Sequence, residues 1–194
     1  MKKLLALCVF ALLLAGCEKM AAAPVPFNGV DITGAPYASN FALTDHTGKP
    51  RTLADFKGKV VFLFFGFTQC PDVCPTTMTK MAQVRAALGS KAERLQVLFV
   101  TIDPERDTQE LLAQYVPAFD PSFIGLYGDA AATATVAREF KVFYAKAAGG
   151  TAGNYSMDHT AASFVFDPSG KIRLYVRDTA TAQQITQDIE RLLN

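Results

Sequence analysis

The sequence contains no tryptophan, only two histidines and only four cysteines among its 194 residues. It also lacks an excess of charge of either sign, since 19 basic side chains stand against 18 acidic ones. A chain without a basic excess lacks the electrostatic footprint of nucleic-acid binding, so no nucleic-acid partner is expected. Half of the residues are apolar and 15 are phenylalanine. This composition excludes intrinsic disorder and predicts a folded domain with a substantial core.

The N-terminal segment, MKKLLALCVFALLLAGC, combines a basic start with a 12-residue apolar stretch from Leu4 to Ala15. Twelve residues are too few to cross a bilayer core, which needs about 20, but they suit a secretory signal peptide. The letters LAGC resemble the bacterial lipobox, which predicts removal of residues 1–16 and acylation of Cys17. The alternative is an ordinary signal peptide cleaved nearby, with Cys17 incidental. The lipobox interpretation places the protein in the bacterial cell envelope, anchored to a membrane by lipid and facing the periplasm or the exterior.

Removal of residues 1–16 leaves 178 residues, with 17 basic and 18 acidic side chains. Residues 17–36 are rich in Ala, Pro and Gly and predict a flexible membrane tether, followed by one domain at 37–194. Hydrophobic patterns in that domain predict two hairpins, an N-terminal one around 41–48 and another at 163–176, buried strands at 60–65 and 95–102, and a short strand at 123–127. They predict helices that begin at 75 or span 107–116, 130–140 and 182–193. The segment 145–156 is predicted to be a mobile loop. This order predicts an α/β fold with a central mixed sheet and helices on both faces. A strand followed by a cysteine pair at a helix start is the thioredoxin-like arrangement.

The two cysteines that remain after signal removal and lipidation, Cys70 and Cys74, are the chemically informative pair. Cys74 is expected at a helix start, where unpaired N–H groups stabilise a thiolate. A thiolate attacks disulfides and also binds soft metals. The pair therefore indicates either a redox-active couple that can form a disulfide or a metal site. A passive structural pair is the less specific alternative.

A histidine completes the candidate site. Thioredoxin-type reductants have C-x-x-C spacing and a cis-proline before the strand that faces the cysteines, whereas this chain has C-x-x-x-C and, at the corresponding place, His159. Two thiolates and an imidazole suit copper, because thiolates favour Cu(I) and imidazole also suits Cu(II). A closed zinc site would need a fourth ligand. Met78 lies one turn after Cys74 but suits core packing better, and His46 is expected to be solvated in a turn.

A third polar segment, TIDPERDT, follows the second buried strand. Carboxylates at strand ends of an α/β sheet face the crevice in which ligands bind. Asp103 is therefore a candidate to orient a ligand or to accept a hydrogen bond from one. An equally good interpretation is local, with Asp107 capping the next helix and Arg106 forming an ion pair nearby.

Three segments, GFTQCPDVCPTTM, TIDPERDT and DHTAASFVFDPSGKI, resemble in sequence and order the signature segments of the Sco/SenC family of copper-binding assembly factors. The resemblance covers most of the chain after residue 40. It implies a thioredoxin-like domain outside the cytoplasmic membrane that binds copper, one ion per chain, through Cys70, Cys74 and His159. It also implies a role in building the dinuclear copper centre of cytochrome c oxidase subunit II. Many family members use a transmembrane anchor, so the lipobox leaves the choice of inner or outer membrane open.

Three functions follow from these residues. The first is a copper metallochaperone, whose partners would be cytochrome c oxidase subunit II and another copper chaperone as donor. The second is a thiol–disulfide oxidoreductase that reduces the copper-site cysteines of that subunit and is itself served by a thiol reductase. The third, a peroxide-reducing enzyme, needs a low-pKa thiol beside an arginine, and no sequence feature specifies one.

Overall fold

The computed structural model describes residues 26–151 and 153–194, so the predicted signal peptide, Cys17 and the start of the tether lie outside the described residues. The strands are β1 (Val30–Asp31), β2 (Ala42–Asp45), β3 (Pro50–Thr52), β4 (Val60–Gly66), β5 (Leu95–Thr101), β6 (Ile124–Tyr127), β7 (Tyr144–Lys146), β8 (Met157–His159), β9 (Ala162–Phe166) and β10 (Ile172–Arg177). The α-helices are α1 (Val73–Leu88), α2 (Gln109–Tyr115), α3 (Ala130–Glu139) and α4 (Ala182–Leu193). Within the described ranges no helix has the length and apolar character that crossing a bilayer requires.

The central sheet has the strand order β1-β10-β9-β4-β5-β6-β2-β3. Its middle strands β4, β5 and β6 are parallel, and the flanking pairs are antiparallel. Every residue of β4 and β5 is buried, as expected for strands covered on both faces. The predicted mixed sheet is confirmed. β4 lies in its parallel central part, and the cysteine pair follows the C-terminal end of this strand.

Helices cover both faces of this sheet. Adjacent strand residues point to opposite faces, so Phe64 and Phe65 identify the two sides. Phe64 and the sulfur of Cys74, in α1, both approach the backbone of Gly66 on one side. Phe140, which follows α3, packs on the other side with its ring 5.3 Å from that of Phe65. The predicted arrangement of helices on both faces is therefore confirmed.

The described part of the predicted tether is attached to the domain. The main-chain N–H groups of Asn28 and Gly29 donate to the carboxylate of Asp188 at 2.9 and 2.8 Å, and β1 pairs with β10 as the edge strand of the sheet. Asp188 is only 2% exposed and needs donors at its oxygens. The folded domain thus begins before residue 37. Composition did not indicate this, because the contacts are made mainly by the main chain.

The region predicted as a loop over 145–156 is partly a strand. β7 pairs with β8 in a two-stranded ribbon that is separate from the central sheet. The sequences of these two strands do not alternate between apolar and polar residues, so hydrophobic patterns could not predict the pairing. The ribbon places His159 at the end of β8.

Asp45 is a buried carboxylate in the first hairpin, with 1% of its surface exposed. It accepts hydrogen bonds from the N–H and hydroxyl of Thr47, from the N–H of Lys49, and from Nε of Arg51 at 2.7 Å. Burial alone would raise the pKa of Asp45, but the hydrogen bonds from Thr47 and Arg51 outweigh burial and hold this pKa well below its ordinary value. The carboxylate therefore stabilises the hairpin in its ionised form.

Replacing Asp45 by asparagine should lower the free energy of unfolding by about 2 kcal/mol at pH 7, since hydrogen bonds to charged groups contribute about 1.5–3 kcal/mol. Because the pKa is lower in the folded than in the unfolded state, this stabilisation is complete above the unfolded pKa of about 3.9 and is lost as pH falls towards the folded value. Urea denaturation of both proteins should therefore show a smaller difference at pH 3 than at pH 7. Asp178→Asn, at an exposed position, is the control. An equal difference at both pH values would contradict the prediction.

Candidate metal centre

The two cysteines lie where β4 passes into α1. The N–H of Cys70 donates to the carbonyl of Phe67 in the connecting turn, at 3.2 Å, and Cys74 lies in the first turn of α1. The N–H of Cys74 donates to the sulfur of Cys70 at 3.4 Å. Cys70 is half-buried and Cys74 is buried, and both are free thiols.

The expectation that the helix start stabilises the thiolate of Cys74 is wrong. Cys74 has no exposed surface, and burial raises the pKa of its thiol, with a further rise from the neighbouring Cys70. The helix N–H that the sequence pattern assigned to Cys74 is directed instead at the sulfur of Cys70. At Cys74, desolvation raises the pKa of the thiol by more than the helix N-terminus lowers it, so the thiol is protonated at neutral pH.

His159 reaches the cysteines from the ribbon. Its ring lies edge-on to Phe67 and Phe64, with ring centroids 6.0 and 6.3 Å away. Nδ1 is 3.1 Å from the carbonyl oxygen of Thr160, which can only accept, so the ring proton belongs on Nδ1. Nε2 is then unprotonated, so its lone pair can bind a metal, and it lies 3.8 Å from the sulfur of Cys74. Burial lowers the pKa of His159 and keeps the ring neutral at neutral pH.

The structure therefore brings together the three residues that the sequence analysis singled out. The ligand atoms of Cys70, Cys74 and His159 all lie within 4.8 Å of one another. Cys70 and His159 border an open cleft of about 310 Å³ between the cysteine turn and the ribbon, and Cys74 is buried behind them. Two sulfurs and one imidazole nitrogen match the preferences of copper, and three donors are one fewer than a closed zinc site has.

Asp103 is buried near this cluster but bonds to other residues. Its carboxylate accepts from Nε of Arg106 at 2.5 Å and from the hydroxyl of Tyr155 at 2.8 Å. The local ion pair expected for Arg106 is thus confirmed. Asp103 acts on the ribbon through Tyr155 and has no direct hydrogen bond to His159 in the described contacts, contrary to the simplest version of the orienting role.

Asp107 does not cap the following helix. Thr108 is the cap of α2, and its side chain accepts from the N–H of Leu111 at 3.2 Å. Asp107 points inward and accepts from the hydroxyls of Thr68 and Thr101, both at 2.6 Å. Burial raises the pKa of Asp107. The carboxylate joins the cysteine turn to the end of β5, and its partner Thr68 lies 39 residues before Asp107 in the sequence.

Two further candidates take no part in the cluster. His46, expected to be solvated, is half-buried, and its Nδ1 accepts from the N–H of Gly125 at 3.0 Å. Met78 is fully buried in the core, in agreement with the packing role preferred for it.

Gly66 is a site residue that the sequence analysis missed. A Cβ atom at this position would lie 2.9 Å from the sulfur of Cys74 and 2.8–2.9 Å from ring atoms of Phe99 and Phe64. Only a residue without a side chain leaves room for this sulfur between the two rings. The available signal was a glycine between an apolar strand and a cysteine pair.

Comparison with known proteins gives a consistent result. The family model described as SCO1/SenC matches residues 30–194. The mitochondrial SCO2 homologue of Bos taurus is 40% identical over 154 residues, which cover 78% of this chain and 58% of the relative. The chain spans less than two thirds of the length of the curated relatives that head this comparison.

Solved structures agree with the sequence match. Bradyrhizobium japonicum ScoI with copper bound has a TM-score of 0.72 and 38% identity, covering 79% of this chain and 98% of that one. Apo Sco1 of Thermus thermophilus has a TM-score of 0.74 and 40% identity, covering 87% and 96%. These relatives share the fold of most of this chain.

Proposed function

Because this chain belongs to the SCO1/SenC family, we propose that it is a copper metallochaperone that helps to assemble the dinuclear copper centre of cytochrome c oxidase subunit II. The observation that carries the proposal is the cluster of Cys70, Cys74 and His159, with all donor atoms within 4.8 Å. Copper, the metal of the Bradyrhizobium relative, fits this donor set because thiolates favour Cu(I) and imidazole accepts either oxidation state.

The geometry suits a metal that is delivered as cargo. Cys70 and His159 are half-buried beside the open cleft, whereas Cys74 lies fully enclosed behind them. A partner's ligands can therefore approach the metal from the cleft and replace the outer donors first. The proton on the Cys74 thiol must leave when the metal binds, because only the thiolate is a ligand.

Replacing His159 by alanine should weaken Cu(I) binding by at least the roughly 10–100-fold that loss of a supporting group costs at metal sites. It should also remove the nitrogen signature from the EPR spectrum of the Cu(II) form. The measurement is competition for Cu(I) with a chromogenic chelator, using the reduced protein, followed by EPR. Wild type should bind one copper per chain.

His46→Ala is the matched control, since it removes the only other histidine of the chain and leaves the cluster intact. Its copper affinity and EPR spectrum should equal those of wild type. An unchanged spectrum in His159→Ala would show that His159 is not a ligand. Failure of wild type to bind copper above a variant lacking Cys70 and Cys74 would overturn the metallochaperone proposal.

A second candidate is a thiol–disulfide oxidoreductase that reduces the copper-site cysteines of subunit II. It is favoured by the unequal environments of the thiols: Cys70 is partly exposed and its sulfur accepts a helix N–H, whereas Cys74 is buried behind it. Cys70 would attack the target disulfide, and Cys74 would release the reduced target by forming the Cys70–Cys74 disulfide. Two electrons and two protons pass to the target.

The two functions are separated by presenting an oxidised, copper-free fragment of subunit II. Reduction of the fragment by the metal-free dithiol protein supports the oxidoreductase. Copper transfer to a fragment that was reduced beforehand supports the metallochaperone.

A copper chaperone would serve as the copper donor, and a thiol reductase would reduce the protein again after each reaction. Lipid on Cys17 would hold the domain at a membrane, facing the periplasm or the exterior.

A further inference from the structure

Arg106 is an enclosed arginine beside the proposed copper site. Its side chain is 9% exposed, although it lies in the turn after β5. Nε donates to Asp103, and Nη1 donates both to the side-chain oxygen of Gln69 at 2.9 Å and to the main-chain oxygen of Tyr155 at 2.7 Å. One guanidinium therefore joins three separate segments of the chain.

Tyr155 contacts both members of the Arg106–Asp103 pair. Its ring centroid lies 3.6 Å from the guanidinium carbon of Arg106, a stacking distance at which cation–π attraction is effective. Its hydroxyl donates to the second carboxylate oxygen of Asp103 at 2.8 Å. We call Arg106, Asp103, Gln69 and Tyr155 the Arg106 clasp.

The clasp connects the two parts of the proposed copper site. Gln69 directly precedes Cys70, and Tyr155 lies four residues before His159. Among the described residues, the two strands of the ribbon that carries His159 pair only with each other and not with the central sheet. The ion pair between Lys146 of the ribbon and Glu105 is exposed at both side chains, where such pairs contribute little.

The enclosed guanidinium is costly to maintain. Within the described part of the chain, Nη2 of Arg106 is buried without a hydrogen-bond partner, and a buried ion pair is weak as a source of stability because both ions lose their hydration. A planar guanidinium that donates hydrogen bonds to three segments does, however, fix the positions of these segments relative to one another. The value of Arg106 is thus better explained by geometry than by stability.

We propose that Arg106 is a positioning residue for the copper site: through the clasp it holds the His159 ribbon against the cysteine turn, so that Nε2 of His159 lies within reach of Cys74. This inference rests on the proposed copper function. Arg106 acts on the position of a ligand and does not itself contact the metal.

The test is a double-mutant cycle between Arg106→Lys and His159→Ala. Lysine keeps the positive charge opposite Asp103 but cannot form the fork or the stack. In wild type, Arg106→Lys should weaken Cu(I) binding about 10-fold, the lower end of the effect of supporting groups. In the His159→Ala protein it should have no further effect, because the ligand that it positions is already absent.

A measurement without metal gives an independent readout. In the metal-free protein, Arg106→Lys should accelerate hydrogen exchange at the β7–β8 amides and leave exchange in α1 unchanged. Tyr155→Phe, which keeps the ring but loses the hydroxyl, should act in the same direction more weakly. Arg85→Lys is the matched control, since the Arg85 side chain is similarly enclosed, at 12% exposed, and bonds to Asp120 and to the main-chain oxygens of Ala92 and Leu95, none of which belongs to the ribbon.

Each outcome decides a different question. Equal losses of affinity in the presence and absence of His159 would show that Arg106 acts through the cysteines or the whole fold, and would overturn the proposal. Unchanged ribbon exchange would also overturn it. If wild type bound no copper, the proposed function would fail, while the exchange measurement would still decide whether Arg106 holds the ribbon.

Discussion

Replacing either Cys70 or Cys74 by alanine should weaken Cu(I) binding by well over the roughly 100-fold that loss of a supporting contact costs at metal sites. Each change removes one of two soft donors and leaves one sulfur beside His159, a set that no longer selects for Cu(I). Alanine is the better replacement at Cys74, because serine would bury a hydroxyl at a position with no exposed surface. Competition with a chromogenic Cu(I) chelator measures the loss.

The pH dependence of this affinity reports the proton that the Cys74 thiol loses when copper binds. Burial raises the pKa of the Cys74 thiol, so copper must displace a proton from it at neutral pH. Each thiol that loses a proton on binding makes the affinity rise about tenfold per pH unit below its pKa. The Cys74→Ala protein should therefore show a shallower slope than wild type by one proton.

Cys17→Ala is the cysteine control, since Cys17 is proposed to carry lipid and not metal. Its Cu(I) affinity and pH slope should match those of wild type. Affinity within tenfold of wild type in Cys70→Ala or Cys74→Ala would mean that the replaced cysteine is not a ligand. A full wild-type slope in Cys74→Ala would mean that the displaced proton comes from another group.

The cluster was predictable because its signals are local. An apolar run at 60–65 predicts a buried strand, and a cysteine pair directly after it must lie at that strand's end. His159 was found by its place before another apolar strand, and the order of the elements then brings the two segments to the same edge of the sheet. The same local patterns located the ends of most helices and strands within two residues.

The contacts that shape the cluster were not predictable, because they join distant segments or depend on burial. Asp107 has the sequence position of a helix cap, yet its partners Thr68 and Thr101 come from two other segments. Cys74 has the position of an activated thiol, yet burial and the neighbouring Cys70 raise the pKa of this thiol instead of lowering it. The β7–β8 ribbon forms by main-chain pairing in a sequence without a strand pattern.

Replacing Gly66 by alanine should both destabilise the fold and impair copper binding. The new methyl carbon would lie 2.8 Å from a ring atom of Phe99 and 2.9 Å from the Cys74 sulfur. Overpacking of this kind costs about 1–3 kcal/mol. Because the two rings belong to the buried central strands β4 and β5, we expect the Cys74 sulfur to be the atom that moves. Urea denaturation and Cu(I) competition measure the two effects, and the affinity should fall more than about 10-fold if the sulfur is displaced.

Gly29→Ala is the matched control, because its new methyl group would first meet Val176 of β10 at 3.3 Å, away from the cluster. It should cost some stability and leave copper affinity unchanged, which separates a local effect on Cys74 from general weakening of the fold. A Gly66→Ala protein that loses stability but keeps wild-type affinity would show that the rings, and not the sulfur, yield to the methyl group. The absence of a side chain at Gly66 would then serve the packing of the two rings alone, and the position of Cys74 would be set by α1.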